Sequence, residues 1–196
     1  MFERHTRAKR LMLALSATGV LALGLAAPVG AATDSSVTQD VVPGILHASV
    51  ATLGLDPVTF SHSDQLSNGS MTLTVDDSTD SNAGWDVTIV SSSFTWDPGT
   101  TGATGGISIP AANFSVETAA TPNVTDGQAL DPTNGPKVPA GFAPATLDTA
   151  REVLQADPTA GNGVYTQALG VTLTVPGDST IGTYTGTVTT TITAAP

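Results

Sequence analysis

The sequence predicts an all-β fold: an antiparallel β-sandwich of about nine short strands joined by long surface loops. Three observations carry this expectation. Over the last 26 residues apolar and polar side chains alternate, with Val171, Leu173 and Val175 on one face and Thr172 and Thr174 on the other. After Pro176-Gly177-Asp178-Ser179 the alternation resumes: Tyr184, Gly186, Val188, Thr190 and Ile192 share a face, and threonines fill the other. A period of two places successive side chains on opposite sides of a sheet, and β-branched residues suit such a surface. Second, Met71, Leu73 and Val75 alternate in the same way, as do Trp85, Val87 and Ile89. Third, Gly, Pro, Asn, Asp and Ser clusters interrupt the chain at short intervals, and no segment has both the length and the period of an α-helix.

The first 32 residues stand apart. Arg4, Arg7, Lys9 and Arg10 form a basic head, Leu11 to Ala27 is apolar and uncharged, and small residues follow at Pro28 to Ala32. This is the layout of a secretory signal peptide cut after Ala31 or Ala32, with an uncleaved membrane anchor as the rival reading. After cleavage no apolar run is long enough to span a bilayer. Four of the six basic residues and one of the 17 acids lie in this segment, so the remainder carries two basic residues against 16 acids, a formal charge of −14. Such a chain is repelled by phosphate backbones, which excludes nucleic acid as a partner. The absence of cysteine removes disulfides and thiolate chemistry, and in an exported chain it suits a bacterial surface protein.

Residues 33–44 read as an extended leader and 45–196 as one β-domain. Within the domain, Ile45 to Leu55 and Val58 to His62 read as strands, and Met71 to Val75 pairs with Trp85 to Val90 as a hairpin around the acidic loop Asp76 to Gly84. Ser91 to Asp97 continues that strand or bends out of it, anchored by Phe94 and Trp96. Short strands follow at Ile107 to Ile109 and Asn113 to Thr118. Residues 119–144, rich in Pro, Gly and Asn, form a long surface loop. A helix competes at Leu147 to Ala156, but its length and Pro158 favour a strand over Glu152 to Ala156. Val164 to Leu169 precedes the terminal pair, which reads as two antiparallel strands joined by a short loop.

Two segments resemble the signatures of the WxL domain. Ala83-Gly84-Trp85-Asp86-Val87-Thr88-Ile89 is similar to the first, a Gly-Trp-x-Leu-like strand after a loop of Asp, Asn and Gly. Gly182-Thr183-Tyr184 and the terminal Ala194-Ala195-Pro196, led in by Leu173-Thr174-Val175-Pro176, are similar to the second. Val87 replaces the first leucine, and Thr190-Thr191-Ile192 replaces the second Trp-x-Leu. The resemblance implies a surface protein of Gram-positive bacteria, secreted and held non-covalently at the cell wall through peptidoglycan or an associated polymer, with other surface proteins as further partners. The last strand ends within three residues of the terminus, with no sorting tail or apolar anchor after it, which agrees with non-covalent retention. The alternative is a structural subunit of an extracellular fibre or coat, in which the leader Thr33 to Pro43 adds a strand to a neighbour's open edge.

Candidate ligand-binding residues are the two tryptophans. Trp96 breaks the phase of its strand beside Asp97-Pro98-Gly99 and offers a stacking surface for sugar rings; Trp85 is a second candidate, but it shares a phase with Val87 and Ile89 and reads more readily as core. Asp76, Asp77 and Asp80 supply hard oxygen ligands for calcium, although their spacing is not that of an EF-hand and a solvated loop explains them as well. His47 and His62 lack the further ligands of a zinc site. No Gly-x-Ser-x-Gly or His-Glu-x-x-His motif is present, and the expectation is a protein without catalytic residues or cofactor.

Overall fold

The computed structural model describes residues 38–195 apart from Thr52 and Thr101, so the signal segment and the first five leader residues lie outside the described part. Residues from Val41 onward make one unit. Its strands are β1 (Leu46–Val50), β2 (Gln65–Asp77), β3 (Trp85–Ser91), β4 (Thr95–Asp97), β5 (Phe114–Ala119), β6 (Asn123–Gly127), β7 (Ala145–Thr146), β8 (Arg151–Ala156), β9 (Gly163–Val175), β10 (Thr183–Thr185) and β11 (Val188–Ala194). The helical content among the described residues is one 3-10 turn at Ala111–Asn113. The all-β antiparallel expectation is borne out.

Two layers enclose the core. One is a six-stranded sheet in the order β1-β2-β9-β5-β7, with β6 also paired to β9. The other consists of the three-stranded sheet β11-β3-β8 and the ribbon β10-β4. Met71, Leu73, Val75, Tyr165, Leu169 and Leu173 point inward from the first layer and meet Trp85, Val87, Ile89 and Leu154 from the second. Burying such side chains is worth roughly 1.5–3 kcal/mol each, and their strict alternation fixes which face of each strand is inside.

The strand positions follow the sequence pattern more closely than the strand partners do. β2 and β3 are not a hairpin. Seven residues separate them, and positive φ angles at Asp80 (55°), Asn82 (55°) and Gly84 (76°) carry the chain across the core into the opposite sheet. The apolar faces still meet one core, as expected. β9 and the terminal strands are likewise in different layers: both edges of β9 are taken, by β2 on one side and by β5 and β6 on the other. β11 pairs with β3 instead, from Val188↔Ser91 to Ala194↔Trp85. Residues 164–169 and 171–175 form one continuous strand through Gly170, because the inward phase of Tyr165, Gln167 and Leu169 runs unbroken into Val171 and Leu173. Val58 to His62 joins no ladder, and Ile109 makes only a bridge to Phe94. The region 119–144 is less loop-like than expected, since β6 lies within it and Lys137 bridges to Gln155.

Two polar contacts tie the layers together. The Trp85 indole N–H donates to the Gly161 carbonyl (3.1 Å), and its ring lies 6.3 Å from that of Tyr165. Gly161 has φ +88°, and a Cβ there would stand 2.7 Å from the indole nitrogen, so the contact requires glycine. Gln167, fully buried on β9, donates from its amide nitrogen to Val153 O on β8 (3.2 Å) and to Ala120 O (2.9 Å). On the inner face of β11, Thr190 stands opposite Ile89 with its hydroxyl buried and without a hydrogen-bond partner.

Leaving a buried hydroxyl unpaired costs about 1–3 kcal/mol. Thr190→Val keeps the branched shape without the hydroxyl, and chemical denaturation should show it more stable than the parent by about 1 kcal/mol; an unchanged or lower midpoint would refute the assignment. Acidity gives a second expectation. Partial burial, and then the charge of Asp86, raise the Glu152 pKa above its ordinary 4.5, so the folded state takes up this proton more readily than the unfolded chain and gains stability as pH falls from neutral towards 4.5. Asp131 acts oppositely: hydrogen bonds from the backbone of Thr133 and Asn134 lower its pKa below 3.8, and its contribution is lost only as pH falls beneath that value. The melting temperature should therefore rise from pH 7 towards 4.5 and fall below 3.8, with Glu152→Gln showing a shallower rise in parallel melts.

Candidate functional site

The open ground of the domain lies at one end, where the segment after Asp56 crosses beneath the turn that follows β9. Pro57 cannot donate to a ladder, and without a strand partner Val58 and Phe60 remain 38% and 53% exposed. The His62 ring packs edge-on against Phe60 with centroids 5.2 Å apart. On the other side, Pro176 to Ser179 close a turn through the Ser179 N–H to Pro176 O bond (3.0 Å), and the Gly177 N–H donates to the Asp64 carboxylate (2.9 Å). The backbone at Ser63 comes so near that a Cβ on Gly177 would stand 2.6 Å from its nitrogen. These contacts fix the two walls of a crevice.

Two cavities open on either side of Phe60. One, of about 250 Å³, runs between Phe60, Ile181 and Tyr184 down to Leu173. The other, of about 420 Å³, is bounded by Phe60, His62, Ala103 and the turn from Gly177 to Ile181. Phe60, Ser179, Thr180 and Ile181 belong to both. Every residue lining the first is uncharged, and it mixes aliphatic and aromatic surface with the hydroxyls of Ser61, Ser63 and Thr180. Ser179 is 8% exposed, and its hydroxyl has no hydrogen-bond partner. The Tyr184 hydroxyl holds the loop by donating to Thr180 O and accepting from Thr180 N–H, both at 2.9 Å. Ile181 is left 55% exposed at the rim.

Trp96 stands behind this rim. It lies opposite Tyr184 in the β10–β4 ladder, and its indole N–H donates to Ile181 O (3.3 Å). Gly106 covers one ring face so closely that a Cβ there would fall about 2.0 Å from the indole. Half-buried and held in this way, Trp96 braces the loop that carries Ile181. Trp85 is fully buried at the start of β3, the central strand of its sheet, where it fills space against Tyr165 and presents no face to solvent. The structure does not bring the two tryptophans together.

The acidic loop is held by turn bonds of its own and by bonds to distant segments. Asp77 is buried and accepts from the Thr79 N–H (3.1 Å) and hydroxyl (2.7 Å), while Asp80 accepts from the Asn162 amide (3.2 Å). Among the described residues no three carboxylate or imidazole groups gather as a metal site, and Asp76, Asp77 and Asp80 do not converge on one point. His62, Asp178 and Ser179 border the same cavity, but the Ser179 hydroxyl engages no base, which is the contact that nucleophilic catalysis needs.

Sequence reasoning missed Phe60, Ile181, Tyr184 and Ser179 as a group. Val58 to His62 read as a short strand, and the available warning was Pro57 just before it. Trp96 was signalled by its break of phase.

Among the described residues no helix is long and apolar enough to cross a membrane. No curated protein and no solved structure matches the chain. A family model does: WxL domain surface cell wall-binding, over residues 46–196. That span takes in both signature-like segments and every strand of the sandwich, so the chain belongs to the WxL family of cell-surface, wall-binding proteins.

Proposed function

We propose that this is a secreted, non-enzymatic protein whose domain holds peptidoglycan or an associated wall polymer non-covalently in the crevice around Phe60. The observation that carries the reading is the uncharged first cavity of the crevice, with exposed Phe60 and Ile181 beside a row of hydroxyls. Sugar rings have apolar C–H faces and hydroxyl edges; aromatic side chains stack on the former and serine, threonine and tyrosine exchange hydrogen bonds with the latter. Cavities on both sides of Phe60 suit a chain passing across it rather than a ligand enclosed on all sides. Trp96 is a positioning residue that keeps Ile181 and Tyr184 in place. Export is supported by the basic head and apolar stretch of residues 1–27, and bacterial origin agrees with the absence of cysteine.

Weak contacts repeated along a polymer give retention through avidity without any single tight site. Removing one stacking partner is expected to weaken binding roughly tenfold, about 1.4 kcal/mol. In co-sedimentation with purified Gram-positive sacculi, the secreted protein should bind saturably, Phe60→Ala should bind with about tenfold lower affinity, and the Trp85 core should keep its melting temperature. Trp96→Ala should weaken binding as well, and calcium should change nothing. Undiminished binding by Phe60→Ala would move the site away from the crevice; failure of the parent protein to sediment would remove the wall-binding reading for this chain.

A further inference from the structure

A second opening lies on the far side of Tyr184. There the edge strand of each layer runs beside the other, β1 next to β11, without a ladder between them. Past the end of β1 the two edges part and leave a slot of about 510 Å³. One wall is Val50, Ala51, Leu53 and Leu55, the other is Thr185 to Val188, and the floor is Met71, Phe94 and Phe114 of the core. None of the lining residues is charged. β11 itself, Val-Thr-Thr-Thr-Ile-Thr-Ala, carries neither charge nor proline, the usual devices that protect an edge strand from pairing.

The same chain carries an uncovered apolar segment. Val41, Val42 and Ile45 are 92%, 79% and 58% exposed, in a stretch, Val41 to Ile45, that has no charge either. In a protein with so strong an acidic excess, slot and leader are two surfaces that can meet without acid facing acid. The leader cannot serve its own slot. The Gly44 N–H donates to Ser78 O, the Ser78 N–H to Ile45 O and the Ile45 N–H to the Ser78 hydroxyl, each at 2.9 Å, which pins the chain at the Leu46 end of β1. The slot begins at the Val50 end, about 13 Å away at strand spacing. Val42 would have to reverse direction and cover that distance with Pro43 as its only free link.

We propose that the slot receives the free end of the leader, Val41 to Pro43, of a second copy of this chain, laid along the edge at Thr185 to Val188 with Val41 and Val42 between the slot walls. This is independent of the wall-binding reading. Because slot and leader are different surfaces of one molecule, the contact is head-to-tail and extends into chains instead of stopping at a dimer. It gives the fibre or coat alternative a specific joint.

The test is light scattering on the purified secreted protein over a wide concentration range, without wall material. Mean mass should climb with concentration. Val41→Asp/Val42→Asp should be monomeric, and so should Thr187→Lys, which places a charge at the exposed slot wall; both should keep the parent melting temperature. Mixed together, the leader variant and the slot variant should form a one-to-one heterodimer and nothing larger, since one intact leader and one intact slot remain. A parent protein that is monomeric throughout would overturn the proposal. So would self-association that survives in the leader variant, or a mixture that stays monomeric.

Discussion

The ladder between β2 and β9 is the constraint on which the other elements depend. It runs unbroken for thirteen residues from Gln65↔Val175 to Asp77↔Gly163, and the opposite edge of β9 is shared between β5 and β6. A strand paired on both sides along its length cannot accept the next strand in sequence. The chain after Val175 must therefore leave the sheet, turn at Pro176 to Ser179 and cross to the opposite layer. That crossing places Ile181 and Tyr184 over Phe60, and it makes β11 the last strand beside β3 rather than the partner of β9. The crevice is a by-product of a saturated central strand.

Family membership survives the loss of the second Trp-x-Leu because the position is structural. Thr190 faces inward opposite Ile89, so the residue there is a filler between β11 and the core, and a smaller filler leaves the strand pairing intact. The aromatic weight falls instead on Trp85, whose indole reaches Gly161 and Tyr165. The cost is visible in the unpaired hydroxyl of Thr190. A domain of this size has few places to absorb such a change, and the edge strand is one of them.

The sequence showed which residues face inward far better than which strands are neighbours. A period of two specifies the face of a strand and says nothing of its partner, so Met71 to Val75 and Trp85 to Ile89 were legible as core while their assignment to opposite sheets was not. β6 was invisible because all five of its residues are exposed and show no alternation. Phe60 was misplaced for the converse reason: Val58 to His62 has the look of a short strand but joins no ladder. Trp96 could be singled out because it broke the pattern, but the contact that gives it a role, to Ile181, joins residues 85 positions apart and depends on the crossing after β9.

The two tryptophans have a practical consequence through their separation. The chain has only two, one sealed in the core and one half-covered at the crevice rim. Indole emission shifts to the red as its surroundings become more polar. Trp85 therefore acts as a blue-emitting gauge of whether the sandwich is intact, and Trp96 as a redder gauge of what happens at the crevice. With either indole replaced, the other reports alone, so loss of folding and occupation of the rim can be told apart in one cuvette without an added label.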